Sequence, residues 1–237
     1  MPTMAERARR SDNRRPKMRD LDELRREIMQ RTLENVPFDG WSWASINAAA
    51  DELGIDRREA ESAFPGGPAE VIELHSMEAD YAMLAAFEEQ AHEGMRVREQ
   101  VARAIWIRLE QNEPHREAVR RALSFLALPQ HHTLALRLLY RTCDAVWTAA
   151  GDGSADYNFY TKRGLLSGVY SSTLLYWLED SSEDYTATKA FLDRRIDETV
   201  QIGGRLGRAI RKLEQVPKAL RYIFPSRGGE DLRMRGN

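Results

Sequence analysis

What this chain lacks narrows its chemistry first. Cys143 is the only cysteine among 237 residues, so no intrachain disulfide can form and a reducing compartment is expected. The five histidines, His75, His92, His115, His131 and His132, fall in no metal-binding spacing: there is no HExxH, no cysteine pair and no Glu-x-x-His of the di-iron kind. Phosphate-cradling glycine loops are missing too, since Gly151-x-Gly153 has no GxxG continuation and Gly203-Gly204 is not followed by Gly-Lys-Ser or Gly-Lys-Thr. Carboxylates such as Asp144, Asp152 and Asp156 are plentiful, but none is singled out as half of a reacting pair. The expectation is a protein without metal and without catalytic activity. No uncharged apolar run reaches the roughly 18 residues that span a bilayer, the first residues hold no apolar signal core, and no period-2 strand pattern occurs.

What is present is helical periodicity. Residues 1–20 form a polar, Arg-rich lead with almost nothing large and apolar to bury, expected to be a disordered basic arm. From Leu21, the residues Leu24, Ile28, Met29, Leu33 and Val36 fall on one face until Pro37-Phe-Asp-Gly40 stops the pattern. Ser45 to Leu53, Gly54-Ile55-Asp56 and Arg57 to Phe64 then read as helix, tight turn and helix, the layout of a helix-turn-helix over residues 21–66. Its charge is wrong for DNA. Between Ser45 and His75 stand Asp51, Glu52, Asp56, Glu59, Glu61, Glu70 and Glu73 against only Arg57 and Arg58, whereas a duplex-reading helix gains affinity from cations that displace counterions. The helix-turn-helix is therefore read as degenerate, with no nucleic-acid partner.

Residues 67–200 continue as apolar-striped helices punctuated by Pro114 and Pro129, giving a larger all-α bundle. Leu136, Leu139, Tyr140, Cys143 and Trp147 form the expected stripe of the segment before Gly151, and a second buried helix runs from about 159 to 179. In that second helix Gly164, Ser167, Gly168 and Ser171 make a small-residue face. Such a face either lets a neighbouring helix come close or leaves room for an elongated apolar ligand. For the ligand reading, Trp147, Leu166, Gly168, Tyr170 and Leu174 are the expected lining.

Two further stretches ask for a partner. Tyr157, Asn158, Phe159 and Tyr160 point all the way round one helical turn and cannot all enter a core, so some are expected outward as interface anchors beside Lys162 and Arg163. Residues 201–237 hold nine Lys/Arg and three acids in a chain of net charge −2, a basic amphipathic tail. Within it Leu220, Ile223 and Phe224 share a face, Tyr222 suits headgroup level, and Lys218 and Arg221 flank them, which fits docking on an anionic membrane surface. Packing of that face on the protein's own bundle, or on a dimer mate, is the alternative.

The run AGDGSADYNFYTKRGLLSGVYSSTLLYWLEDSSEDY, with FLDRR after it, resembles the signature region of the ubiquinone biosynthesis protein COQ9 family, whose fold is like that of TetR regulators. The likeness extends through LSFLALPQHH and CDAVW and, in the first third, GWSWASINAAADELGI and FPGG, covering roughly residues 20–200. It implies an all-α, TetR-regulator-like fold with a lipid-binding bundle and a homodimer. It implies a lipid-binding accessory protein that presents a prenylated quinone intermediate, or holds a phospholipid, for the demethoxyubiquinone hydroxylase. The alternative is a TetR-type ligand-responsive transcription regulator. Asp156, Tyr157, Asn158, Phe159, Tyr160 and Arg163 match the family's hydroxylase-binding motif, except that Phe159 stands where the family carries Trp and so lacks the indole N–H donor. The implied location is the bacterial cytoplasm, peripheral on the inner membrane, or the matrix side in a mitochondrion.

Overall fold

The computed structural model describes residues 20–90, 94–151 and 157–214, with the helical backbone alone over 157–162 and 202–214. Among these residues the chain is all helical: α1 (Leu21–Asp39), α2 (Trp43–Glu52), α3 (Arg57–Ala63), α4 (Pro68–Glu89), α5 (Val97–Gln111), α6 (Arg116–Leu126), α7 (His132–Ala149), α8 (Tyr157–Glu179) and α9 (Thr186–Glu214). The basic arm, apart from Asp20, and residues 215–237 lie outside the described residues. So do all six side chains expected at the membrane, Lys218 to Phe224.

The first three helices build the helix-turn-helix from local signals. The Asp20 carboxylate caps α1 by accepting from the Asp22 N–H at 3.4 Å. Leu24, Ile28, Met29, Leu33 and Val36 turn inward as their spacing predicts. Pro37 does not stop this helix. It sits in the last turn, and α1 runs on to Asp39 before Gly40, at φ 66°, takes the left-handed step. The Ser45 N–H donates to the Ser42 hydroxyl and the Ser42 N–H to the Ser45 hydroxyl, each at 3.3 Å, a capping box that starts α2. Gly54, also at φ 66°, makes the turn, and Asp56 opens α3 by accepting from the Arg58 N–H at 2.8 Å. Ala49, Ile55, Ala60 and Phe64 are buried in the small core this creates. Gly67 is required on two grounds: its φ is 62°, and a Cβ there would meet the Trp43 ring at 3.1 Å.

The remaining helices wrap a larger core of Met83, Phe87, Ile105, Leu109, Val146, Tyr170, Trp177, Leu192 and Ile196. The two cores are not separated at residue 66. Val71 and Ile72 of α4, Ala118 and Ala122 of α6, and Leu138 of α7 belong to the first core, and the Trp41 indole N–H donates to the Ala118 carbonyl at 2.9 Å. Nor does the helix break at residue 200, since α9 is continuous from 186 to 214.

The stripe expected on α7 is rotated. Leu138, Thr142, Cys143 and Val146 face inward, while Leu136 is 65% and Tyr140 44% exposed. Cys143 sits in the larger core, where burial, and secondarily the charge of Asp80, pushes its thiol up to about 12. At its far end α8 is held by α6. The Arg116 guanidinium donates to the Asp180 carbonyl at 2.7 Å and to that of Trp177, and Arg120 donates to the Leu178 carbonyl. These cations satisfy carbonyls that a helix terminus leaves without intrahelical partners.

Candidate functional site

Where α4 to α8 converge, the packing leaves a cavity of about 400 Å³. The sequence explains why it stays open. On α6 the apolar residues Val119, Leu123 and Leu126 pack against the two cores on one side and are only half-buried because they line this space on the other, and Ala122 and Ala135 are too small to fill it. Leu138, Leu139 and Leu174 complete walls that are mostly apolar. Ala127 at the end of α6 and Leu175 on α8, 59% exposed, line the cavity and also reach the surface, so the mouth lies there.

The inner end is polar. Arg108 Nε donates to Asp80 Oδ1 at 2.6 Å, and both residues are buried. The same guanidinium donates through Nη2 to the Ser76 carbonyl at 3.3 Å and to its hydroxyl at 3.2 Å. Thr142 Oγ1 donates to Asp80 Oδ1 at 3.0 Å. Asn112 Nδ2 donates to the Arg108 carbonyl at 2.7 Å, and the Arg108 guanidinium stands 5.9 Å from the Tyr170 ring centre. His75 completes this end, lining it with Asn112. Burial drives its pKa down to about 4, helped by the positive charge of Arg108, so the imidazole is neutral near pH 7. Burial likewise raises the Tyr170 phenol above its usual range. Arg108 is the one charged side chain among the described lining residues, and Asp80 directly behind it supplies the opposite charge. The end wall is therefore dipolar and close to neutral overall.

Of the five residues expected to line a ligand site, Tyr170 and Leu174 do so. Leu166 is 3% exposed and packed into the larger core, and Trp147 is half-buried against that core. Gly168 is on the outside, with nothing within 4 Å of the position a Cβ would take. Of the small-residue face, Gly164, Ser167 and Gly168 thus turn away from the cavity and Ser171 alone lines it, because the apolar half of α8, Leu166, Val169, Tyr170 and Leu174, claims the interior. The polar end went unread in the sequence. Its only trace there is Ser76 and Asp80 at four-residue spacing on the inward face of α4, with Thr142 beside Cys143 on that of α7.

Among the residues expected to bind a partner, Arg163 is not a surface cation. It is 5% exposed, and its Nε and Nη2 reach Asp144 Oδ1 at 2.7 and 2.6 Å. Asp156 lies outside the described residues. Tyr157, Asn158, Phe159 and Tyr160 begin α8, and their side chains lie outside the described part. Among the described residues no group of three or more His, Cys, Asp and Glu could hold a metal, and no helix is long and apolar enough to cross a membrane.

In the helix-turn-helix, Arg57 is tied to Asp51 by two hydrogen bonds of 3.2 and 2.5 Å. That leaves Arg58 against Glu59 and Glu61 on a short α3 of seven residues.

Comparison with known proteins places this architecture. The family model described as COQ9 matches residues 132–203, which span α7, α8 and the first part of α9. The ubiquinone biosynthesis protein COQ9 of Rattus norvegicus mitochondria is 34% identical over 190 residues, 77% of this chain and 60% of that protein. Its Homo sapiens counterpart is 32% identical over 189 residues, 77% and 59% of the two chains. The Schizosaccharomyces pombe protein is 26% identical over 201 residues, 85% and 80%. The chain thus spans about 60% of the length of the first two relatives. Among solved structures, a TetR transcriptional regulator from Nitrosomonas europaea superposes with a TM-score of 0.61 at 22% identity, covering 75% of this chain and 98% of that one. This last likeness establishes a TetR-like fold.

Proposed function

The chain belongs to the COQ9 family, and on that premise we propose that it is a non-catalytic, lipid-binding accessory protein of ubiquinone biosynthesis. In this reading it takes up a prenylated quinone intermediate and presents it to the demethoxyubiquinone hydroxylase at a membrane surface. The observation that carries the proposal is the cavity of about 400 Å³ with apolar walls, a polar inner end and an apolar mouth, the form in which small-molecule sites combine general affinity with orientation.

The start of α8, Asp156 to Tyr160, is the proposed hydroxylase contact, with Arg163 supporting it from inside by fixing the first turns of α8 to Asp144 on α7. Residues Lys218 to Phe224 are the proposed anchor on an anionic membrane, placing the protein peripherally on the bacterial inner membrane or the mitochondrial matrix side. A homodimer is proposed through the outward faces of α7 and α8, where Leu136 and Tyr140 are exposed and Gly164 and Gly168 would let a partner helix approach. A ligand-responsive DNA-binding regulator is the competing reading, favoured by the fold alone. The pairing of Arg57 with Asp51 and the acids of α3 weigh against it.

Native mass spectrometry of purified protein incubated with extracted membrane lipids tests the central claim. A stoichiometric isoprenoid quinone or phospholipid is expected, and protein that remains lipid-free refutes it. Co-flotation with anionic liposomes, lost in a chain ending at Val216, is expected for the tail. Firm, salt-sensitive heparin retention by residues 20–200 would favour the regulator instead.

A further inference from the structure

We propose that the cavity selects its ligand by headgroup charge: it takes an uncharged ring bearing carbonyl or hydroxyl oxygens at its inner end and excludes anionic headgroups. This rests on the lipid-binding reading above and specifies which lipid that site accepts.

The argument begins with orientation. The polar residues Arg108, Asn112, Thr142 and Tyr170 are all buried at the inner end, whereas Leu175 and Ala127 line the mouth and reach the surface. An amphipathic ligand matching that gradient enters headgroup first, with its tail trailing through the mouth. At about 400 Å³ the cavity lies near the small end of the roughly 300–1,000 Å³ typical of small-molecule sites. It has room for a ring and the nearest part of a tail, not for a long polyprenyl chain.

Charge then decides between headgroups. A lone buried arginine would attract a carboxylate or phosphate, but Arg108 is not alone. Its Nε is committed to Asp80 at 2.6 Å and its Nη2 to Ser76, so an anion drawn to the guanidinium would also be repelled by the carboxylate behind it. His75 supplies no compensating charge, because at neutral pH it is an uncharged imidazole. An anion would therefore lose its hydration and gain no net counter-charge, the unfavourable case for burying an ion. A quinone or phenol ring asks for nothing of the kind. Its oxygens need local donors and acceptors, which the neutral imidazole of His75, the amide of Asn112 and the Ser171 hydroxyl offer, and its face can lie along Tyr170 and Leu174.

Isothermal titration calorimetry on the full chain tests this with two probes: a benzoquinone carrying two isoprene units, and dodecanoate, both below their aggregation concentrations at pH 7.5. The quinone is expected to bind at least about tenfold more tightly than the fatty acid. Equal binding, or tighter binding of dodecanoate, overturns charge selection while leaving a lipid-binding cavity in place. Binding of neither probe overturns the lipid-binding reading itself, and this proposal with it. The isosteric Asp80→Asn exchange removes the counter-charge, so it is expected to narrow the quinone preference at least about tenfold by admitting dodecanoate. A folded D80N protein with an unchanged preference refutes the role given to the Arg108–Asp80 pair, and the comparison on the unaltered protein stands whether or not that variant folds.

Discussion

Deleting one half of the buried ion pair should cost far more than deleting both. In Asp80→Ala the Arg108 guanidinium, 7% exposed, is left without its carboxylate, and Thr142 loses the acceptor of its hydroxyl. An uncompensated charge at such a site costs about 3–5 kcal/mol. For a chain of this length each kcal/mol lowers the melting temperature by about 2–4 °C, so a fall of roughly 10 °C is expected. The double change Asp80→Leu with Arg108→Met keeps similar volume and removes both charges together. It should lie within about 1 kcal/mol of the unaltered protein, which makes the two sites strongly non-additive. Urea unfolding followed by circular dichroism measures all three chains. The double variant has a second use. It should stay folded, keep the cavity and still bind the benzoquinone probe, because His75, Asn112 and Ser171 remain in the lining, separating the structural role of the pair from ligand binding. If Asp80→Ala costs less than about 1 kcal/mol, the guanidinium reaches water through the cavity, and the buried, dipolar end wall is refuted.

Three other outcomes follow from the same geometry. Arg163→Ala should lower the melting temperature by roughly 5 °C or more, because Arg163 is buried on Asp144; a surface anchor would leave that temperature unchanged in differential scanning calorimetry. Gly168→Leu should leave the bound lipid in place, since no atom lies near its Cβ position, while breaking the proposed dimer; native mass spectra that show lipid loss from an intact dimer contradict both assignments. His75, with its pKa lowered to about 4 from an ordinary 6.5, resists protonation in the folded state. Its contribution is present above pH 6.5 and is lost as the pH falls towards 4, a change of about 3 kcal/mol; His75→Gln should flatten the urea-measured stability profile over that window, and parallel profiles refute the neutral imidazole.

The fold was legible where signals are local. The turn at Gly54 and the inward spacing on α1 each lie within a few residues and appear where the pattern puts them, while the Ser42–Ser45 capping box starts α2 two residues before the Ser45 read from the sequence. The inner end of the cavity was not legible, because its members meet only in space: Asp80 lies 28 residues from Arg108 and 62 from Thr142. The same physics misled the reading of α7. A threonine scores against a buried face, yet Thr142 is buried because Asp80 opposite accepts its hydrogen, and this turned the predicted stripe outward onto Leu136 and Tyr140. Arg163 followed suit. Next to Lys162 it reads as part of a solvated cationic edge, and only its partner 19 residues earlier shows it to be internal.

The lone thiol of Cys143 gives the protein a clock of its own. With 1% of its surface exposed and its thiolate suppressed, it cannot react with a disulfide reagent from the closed bundle. Each labelling event therefore requires an opening of the core, and one cysteine per molecule makes the time course a single exponential. In the regime where reclosing outruns labelling, the observed rate is the open population multiplied by the intrinsic thiol rate. A molecule that binds only the closed bundle divides that population by one plus its concentration over its dissociation constant. The rate at which colour develops from a simple aromatic disulfide, recorded across a ligand series, would thus read cavity occupancy on unmodified protein, with no dye attached and no residue replaced.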